Sequence, residues 1–538
     1  MVPVGGILGG GEAQWRQIRR LWSPPRLMRP IPLLDAPALL GQNAGMGLAI
    51  EREHFDEAEF PLFVKRLERS LVALRELMER PGFGEGPCSL GAEIELSLVD
   101  ERGQPLPRNY AVLGESVDPR LTVELDRFNL ECNLRPTPLA GRPFAALAEE
   151  IDDAVGEVRR AAALHGGRVA VIGILPTLSS EHLQGTAMTD SPRYRALSWA
   201  IQRLRREAFQ LCINGEDPLE MTCDEITFEG AATSLQVHLR VAPSRFADVY
   251  NAVQLATGPV LAMAGNSPTF LGHRLWHETR IALFKQAVDY RGSDAKNTVA
   301  RVSFGSGWVE DGAFELFAED VAIHEPLLPL LGDEDPLDCL RAGGVPLLEE
   351  MRLHQGTVWR WNRAIYDPAA DGHLRIEMRS FPAGPTTADM VANAAFQIGL
   401  ALGLAPDAAG WIHDVPFAVA AHNFYRAAQS GIEARLLWPP APRCAPRPWP
   451  ARALALELLP LARRGLVDAG VEGGEVDAIL AVIARRAETA QTGSVWQRAT
   501  LGALGAEHDR PAALSALLER YLALATSGDL VHDWPVEG

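Results

Sequence analysis

The sequence predicts an α+β protein organised around a sheet that is apolar on one face and carries carboxylate, imidazole, amide and guanidinium groups on the other. The stretch Gly91-Ala92-Glu93-Ile94-Glu95-Leu96-Ser97-Leu98-Val99 alternates strictly, with Glu93, Glu95 and Ser97 on one side and Ile94, Leu96 and Leu98 on the other. A period of two marks a half-buried strand. The design recurs three times. Residues 129–135 set Asn129, Glu131, Asn133 and Arg135 against Leu130, Cys132 and Leu134. Residues 235–241 present Gln236, His238 and Arg240, and residues 374–379 present Arg375, Glu377 and Arg379. Helical periodicity fills much of the chain between and after these stretches.

Two carboxylates at i and i+2 of a strand sit on the order of 7 Å apart along the backbone and point the same way. If the charges close to about 5 Å at an effective dielectric near 20, they repel by ~3 kcal/mol. A strand facing solvent relieves this by splaying its side chains, whereas a strand in a cleft needs a cation. Hard cations prefer carboxylate oxygens, and Arg forks match phosphate and carboxylate. The four stretches together therefore predict one shared face that holds Mg²⁺ and phosphates.

Composition narrows the class. The 538 residues are long enough for one large core or two to three domains. A hydrophobic share of 47% with 22% charged residues is that of a globular protein. Lys and Arg number 51 against 69 Asp and Glu, and the net charge of −18 argues against nucleic acid and anionic membranes as partners. Six scattered cysteines without a CxxC pair fit a reducing cytoplasm better than a disulfide framework or a zinc site. No apolar run reaches the ~18 residues of a membrane span, and the N-terminus lacks the basic region of a signal peptide. A cytoplasmic protein is expected. Neither a GxSxG elbow nor a Walker A sequence is present, so a nucleotide would be held by the sheet face and metal ions.

In chain order, residues 1–50 read as a loose extension rich in Gly, Pro and Leu. Phe60, Phe63, Leu67, Leu71, Leu74 and Leu77 recur at helical spacing, and Pro81-Gly82 stops that helix. Gly82, Gly84 and Gly86 precede a strand, which makes them a connector more than a phosphate loop. Glu124 and Glu131, seven residues apart, share a site only if the chain turns near Arg127-Phe128. Residues 142–165 read as a helix, 167–175 as a buried strand, and 191–211 as a helix with Pro192 in its first turn. A helix over 248–263 breaks at Gly265-Asn266-Ser267-Pro268. His273 and His277 are four apart, but Glu278 stands outside the HExxH position. Helices are expected over 388–402 and 417–431. Six prolines among residues 439–450 read as a stiff linker, with Ala- and Leu-rich helices beyond it. The expected division is an extension over 1–85, a catalytic domain over 86–435, a linker over 436–450 and a helical segment over 451–538.

Taken together, Gly91-Ala92-Glu93-Ile94-Glu95, the Glu131 strand, Gln236-Val237-His238, Gly265-Asn266-Ser267-Pro268, Leu275-Trp276-His277-Glu278-Thr279-Arg280 and the run from Arg375 to Thr386 resemble the glutamate–cysteine ligase family, in its bacterial plant-like and carboxylate–amine ligase branch. The resemblance covers roughly residues 88–430 and rests on the order and joint presence of these motifs. It implies a glutamine-synthetase-like fold, in which an antiparallel sheet forms a funnel-shaped active site backed by helices. It also implies ATP-dependent ligation, with glutamate's γ-carboxylate phosphorylated and phosphate then displaced by an amine such as cysteine. By match to the family pattern, Glu93, Glu95, Glu131, His238 and Glu377 would hold Mg²⁺, with Glu124 added to the set. Arg379 and Arg240 would face phosphate or substrate carboxylate, and Arg375 with Arg379 would contact ATP. Glutamate, the amine and ATP would be the small-molecule partners, and a homo-oligomer is compatible with this reading. No stretch identifies a cysteine pocket, which leaves the amine open. Two alternatives remain on the same face: a guanidino-type phosphotransferase, and a non-catalytic ATP- and metal-binding regulatory protein.

Overall fold

The computed structural model describes residues 50–292, 298–441 and 443–536. Most of the loose extension expected over 1–50 lies outside them. Eight strands form the main sheet: β1 (Ser89–Val99), β2 (Leu121–Val123), β3 (Asn129–Asn133), β4 (Thr137–Pro138), β5 (Arg168–Ala170), β6 (Ser234–Arg240), β7 (Asn362–Asp367) and β8 (His373–Pro382). Six of them run in the order β7-β8-β6-β1-β3-β2, while β4 and β5 pair with the two ends of β1. Every pairing is antiparallel. This is the α+β architecture expected from the sequence.

The apolar face is fully covered. Ile94, Leu96 and Leu98 of β1, Leu130 of β3, Val237 of β6 and Ile376 of β8 are all buried. Behind them lie α1 (Pro143–Ala163) and α2 (Phe246–Ala264), and α2 in turn packs on α3 (Thr387–Leu404). Contrary to the expectation that no apolar run is long enough, the segment Thr387–Asp414 is long and apolar enough, by length and composition, to cross a membrane. Most of it is buried inside the protein, so the apolarity serves helix packing here.

The helices after Pro450 belong to this same core. The Pro-rich stretch contains a short strand, Arg447–Pro450, paired with Arg435–Trp438. The next helix, α4 (Ala451–Asp468), crosses α3 at glycines. A Cβ at Gly465 would collide with the Gly399 carbonyl oxygen and the Gly403 amide nitrogen, so only glycine permits this approach. Beyond α4, the buried Arg486 donates to Asp389 Oδ1 (2.8 Å) and Asn393 Oδ1 (2.6 Å) of α3. The Tyr521 hydroxyl donates to the Val171 carbonyl (2.8 Å) and accepts from Asn266 Nδ2.

Two expected elements stop early. The strand expected over 167–175 ends at Ala170, because Thr233 takes the Ile172 and Gly173 carbonyls in place of a neighbouring strand. The helix expected over 191–211 ends at Arg205. Arg206 is left-handed (φ 61°), and the Arg205 guanidinium gathers the carbonyls of Glu207, Ala208 and Asp289. The chain then enters a hairpin of Phe209–Ile213 and Leu219–Cys223.

Candidate active site

Strand register assembles the site. Glu93 faces Gln236 on β6, Glu95 faces Glu131 on β3, and His238 lies between Gly91 on β1 and Glu377 on β8. Arg363 of β7 faces Glu377 on its other side. Residues directly opposed in a sheet project to the same face. The four polar sides read from sequence therefore become one surface. The turn at 124–128 returns the chain from β2 to β3, and it brings Glu124 close enough to Glu95 and Glu131 to repel them.

The acidic groups on this face fall into two electrostatic classes. Glu377 is saturated by guanidinium: Arg363 Nε donates to Oε2 (2.8 Å), Arg363 Nη2 to Oε1 (3.0 Å) and Arg379 Nη1 to Oε2 (2.9 Å). Burial pushes its carboxyl up, but Arg363 and Arg379 outweigh burial and hold it well below the ordinary range. Glu93 behaves similarly: burial pushes it up, and the His238 ring does most to outweigh burial and lower it. In the other class, compensation falls short of burial. Burial, reinforced by Glu93, Glu124 and Glu95, pushes Glu131 well above the ordinary range, and its one side-chain donor is Asn133 Nδ2 (2.8 Å). Burial and Glu95 raise Glu124 from 4.5 to about 7. Glu95 is raised by burial against the pull of Arg280 and Arg379, and accepts from the Ser234 amide (2.7 Å) and Gln236 Nε2 (2.8 Å).

His238 sits between the two classes. Its Nε2 is 3.2 Å from Glu93 Oε1 and 3.8 Å from Glu377 Oε1, yet neither buried ring nitrogen has a hydrogen-bond partner. Glu93, His238 and Glu377 each offer a ligand atom, all within 4.8 Å of one another. Two carboxylates and one imidazole whose ring nitrogens lack a hydrogen bond of good geometry suit a hard divalent cation such as Mg²⁺ or Mn²⁺.

Beside the acidic groups lies a narrow cleft lined by Glu95, Glu229, Arg280, Arg379, Phe284 and Trp361. Three residues of the cleft and the polar face lack a clear sequence signal. Glu229 follows a 3-10 turn at Ile226–Phe228 and has no strand periodicity to announce it. Burial, with Glu124 and Glu95, pushes its carboxyl well above the ordinary range. Arg363 lies on a strand whose same face carries Ile365, so polar and apolar residues do not alternate there. Arg280 belongs to one of the motifs quoted above, but nothing in that motif assigns it a role. It pairs with buried Glu278 (3.0 Å) and donates to the Ser380 carbonyl (3.2 Å) beside the register shift in β8.

Arg240 and Arg375 are cross-strand neighbours on the same face, at its other end. Arg240 donates to the Glu85 carbonyl (2.8 Å), with Gly86 directly over its guanidinium, and Arg375 pairs with Asp367 (2.7 Å). His273 and His277 do not form a metal pair: His273 Nδ1 contacts the Asp217 carbonyl (3.0 Å), while His277 lines a separate groove.

The raised carboxyls fix the sign of one pH effect. An acid whose pKa is higher in the folded state contributes stability below its unfolded pKa and loses it as pH rises through the folded value. For Glu124 this window runs from 4.5 to about 7. Buried histidines such as His277 and His354, lowered to about 4, act in the opposite sense over part of this window, so the effect is expected in the difference between proteins: metal-free wild type should lose melting temperature relative to Glu124→Gln as pH rises through it. Thermal unfolding with EDTA checks this, and saturating Mg²⁺ should flatten the trend.

The model of glutamate–cysteine ligase family 2 (GCS2) matches residues 89–513. No curated protein sequence matches the chain. Among solved structures, the glutamate–cysteine ligase of Francisella tularensis in complex with AMP is 13% identical, covering 83% of this chain and 91% of its own, with a TM-score of 0.49. A bifunctional glutathione synthetase from Pasteurella multocida is 11% identical, covering 87% of this chain and 55% of its own, with a TM-score of 0.45. The family match spans every strand of the polar face and continues into the C-terminal helices, and on that match the chain belongs to glutamate–cysteine ligase family 2, as an ATP-dependent carbon–nitrogen ligase.

Proposed function

We propose that this chain joins the γ-carboxylate of glutamate to an amine, with cysteine the first candidate, through a γ-glutamyl phosphate. The observation that carries the reading is a set of buried carboxyls, Glu95, Glu124 and Glu131, which have no salt bridge among the described residues and flank a cleft lined by Arg379 and Arg280. In the first step a γ-carboxylate oxygen bonds to the γ-phosphorus of ATP and ADP leaves. In the second, the amine nitrogen bonds to the acyl carbon, inorganic phosphate leaves and the amine gives up a proton. Both steps bring anions together, so positive charge must be fixed where they meet. Mg²⁺ held among Glu93, Glu95, Glu124, Glu131, His238 and Glu377 would neutralise the ATP phosphates against the substrate carboxylate.

The protein's own groups have separable tasks. Arg379 is held by Glu377 and the Gln236 side-chain oxygen, so its position is set before substrate arrives. The Arg280 guanidinium supports the adjacent main chain of β8. Phe284 and Trp361 give the cleft an apolar wall that limits water, the competing nucleophile for an acyl phosphate.

The test is ADP release with Mg²⁺, ATP and glutamate, with and without a panel of amines. Cysteine-dependent release together with the mass of γ-glutamylcysteine is the expected result. Release with a different amine would keep the chemistry and change the acceptor. A phosphorylated guanidine with no amide, or ATP binding without turnover across the panel, would overturn the proposal.

A further inference from the structure

A second cavity opens away from the sheet face. Its walls are the Asn214–Glu216 turn, the Leu275–His277 segment, the end of the helix Phe417–Ser430, and Arg498 on the helix Gly493–Leu504. Its empty volume, open mouth included, is about 630 Å³, larger than that of the cleft beside the acidic groups. We propose that this groove binds a free α-amino acid with an apolar side chain, and that its occupancy is felt at the active site.

The groove offers a complementary group for each part of such a molecule. The Arg498 guanidinium, anchored by the Leu275 carbonyl (3.1 Å) and Glu216, is a fixed cation for the α-carboxylate. Glu433 is exposed and has no ion-pair partner among the described residues, so it is available for the α-ammonium. Trp276 and Leu275 supply an apolar wall for the side chain.

His277 closes the inner wall of the groove. It is only 8% exposed and lines the groove, yet its buried Nδ1 has no hydrogen-bond partner among the described residues. The ring is closely fitted: Gly431 (φ 50°) packs on its Nδ1 edge, where a Cβ would lie 2.7 Å away. Burial and Arg498 lower its pKa to about 4, so at neutral pH it is an uncharged group able to donate or accept.

The route to the active site is short. The His277 and Glu278 amides donate to the Gln429 and Ala428 carbonyls, which ties this segment to the groove's helical wall. Glu278 then pairs with Arg280, whose guanidinium donates to the Ser380 carbonyl and lines the cleft beside Glu95 and Arg379. A ligand drawn against Trp276 and His277 therefore bears on the residue that supports β8. The groove takes no part in the chemistry proposed above, so its occupancy can be tested without turnover.

L-leucine and L-phenylalanine, each titrated calorimetrically into the full chain saturated with Mg²⁺ and ADP, provide that test. At least one is expected to bind saturably, with affinity reduced at least about tenfold in Glu433→Gln and in Arg498→Gln, since each variant removes a charge-assisted contact. Glu433→Gln changes an exposed side chain and serves as the variant expected to fold normally and keep its basal activity. The same amino acid should change the glutamate KM in wild-type protein and leave it unchanged in Glu433→Gln. Absence of saturable binding by both, or equal affinity in wild-type and Glu433→Gln protein, would overturn the site. Binding at the groove with no change in KM or kcat would overturn its link to the active site.

Discussion

Replacing Glu131 by glutamine is expected to make the metal-free protein more heat-stable and at the same time to cost it at least ~10²-fold in ADP release. Both effects have one origin. Glu131 stands directly opposite Glu95 across β1 and β3, is buried, and has one side-chain donor, Asn133. Two ionised carboxylates about 5 Å apart at an effective dielectric near 20 repel by ~3 kcal/mol, and Glu93 and Glu124 add to the load. Burial and these neighbours push the Glu131 carboxyl well above the ordinary range, so its ionisation is costly in the folded protein. Glutamine keeps the volume and the Asn133 hydrogen bond but carries no charge, so the folded protein loses a repulsion. A bound divalent cation would convert that repulsion into attraction, and glutamine forfeits this. Thermal unfolding in EDTA and in Mg²⁺, run beside an ADP-release assay, separates the two. The wild type should gain more from Mg²⁺ than the variant, because ligand binding to the native state adds RT ln(1 + [L]/Kd). An equal Mg²⁺ shift in both, or a less stable metal-free variant, would remove Glu131 from the cation-holding set.

This kind of site is legible in a single sequence for a geometric reason. Strand periodicity assigns each residue to a face without knowledge of partners, so Glu93, Glu95, Glu131, His238 and Glu377 can be read as facing one way before any pairing is known. Register then decides who meets whom, and that depends on turns and crossovers with no periodic signal. Glu124 illustrates the limit: its sequence offset from Glu131 is wrong for a continuous strand, and only the turn at 124–128 makes it a neighbour. Glu229 and Arg280 come from a 3-10 turn and a helix start, where the sequence carries no face to read. Arg363 is hidden by Ile365, an apolar residue on the polar side of its own strand. The Pro-rich stretch shows the opposite failure. Proline density reads as a linker, yet here it forms a short antiparallel pair, and the glycine crossing of α3 and α4 packs the C-terminal helices into the main core. That crossing depends on Gly399, Gly403 and Gly465; Gly465 lies far along the chain from the other two and meets them only when the helices pack.

Replacing Arg363 by methionine should be the most destabilising single change at the site, at ~3–5 kcal/mol, the usual cost of removing one partner from a buried pair. Arg363 and Glu377 are both buried and joined by two short hydrogen bonds, and Arg363 also donates to the Gln355 carbonyl (3.0 Å). The variant leaves Glu377 charged in the interior with Arg379 as its one remaining guanidinium partner. Its pH dependence has a defined sign. A carboxyl held below its unfolded pKa of 4.5 contributes stability above that value and loses it as pH falls through the depressed one. Without Arg363 the folded pKa rises, so acid unfolding should begin at higher pH than in the wild type. The double variant Arg363→Met/Glu377→Gln should recover part of the lost stability, because it leaves no carboxylate without its partner, while ADP release stays low. Urea unfolding of the four proteins of this cycle, at neutral and acidic pH, measures the coupling. Strict additivity would mean that the pair does not act as a unit. Strong coupling would separate the two glutamates in kind: Glu377 has its charge compensated within the protein and fixes Arg379, whereas the charge on Glu131 is left for a cation to meet.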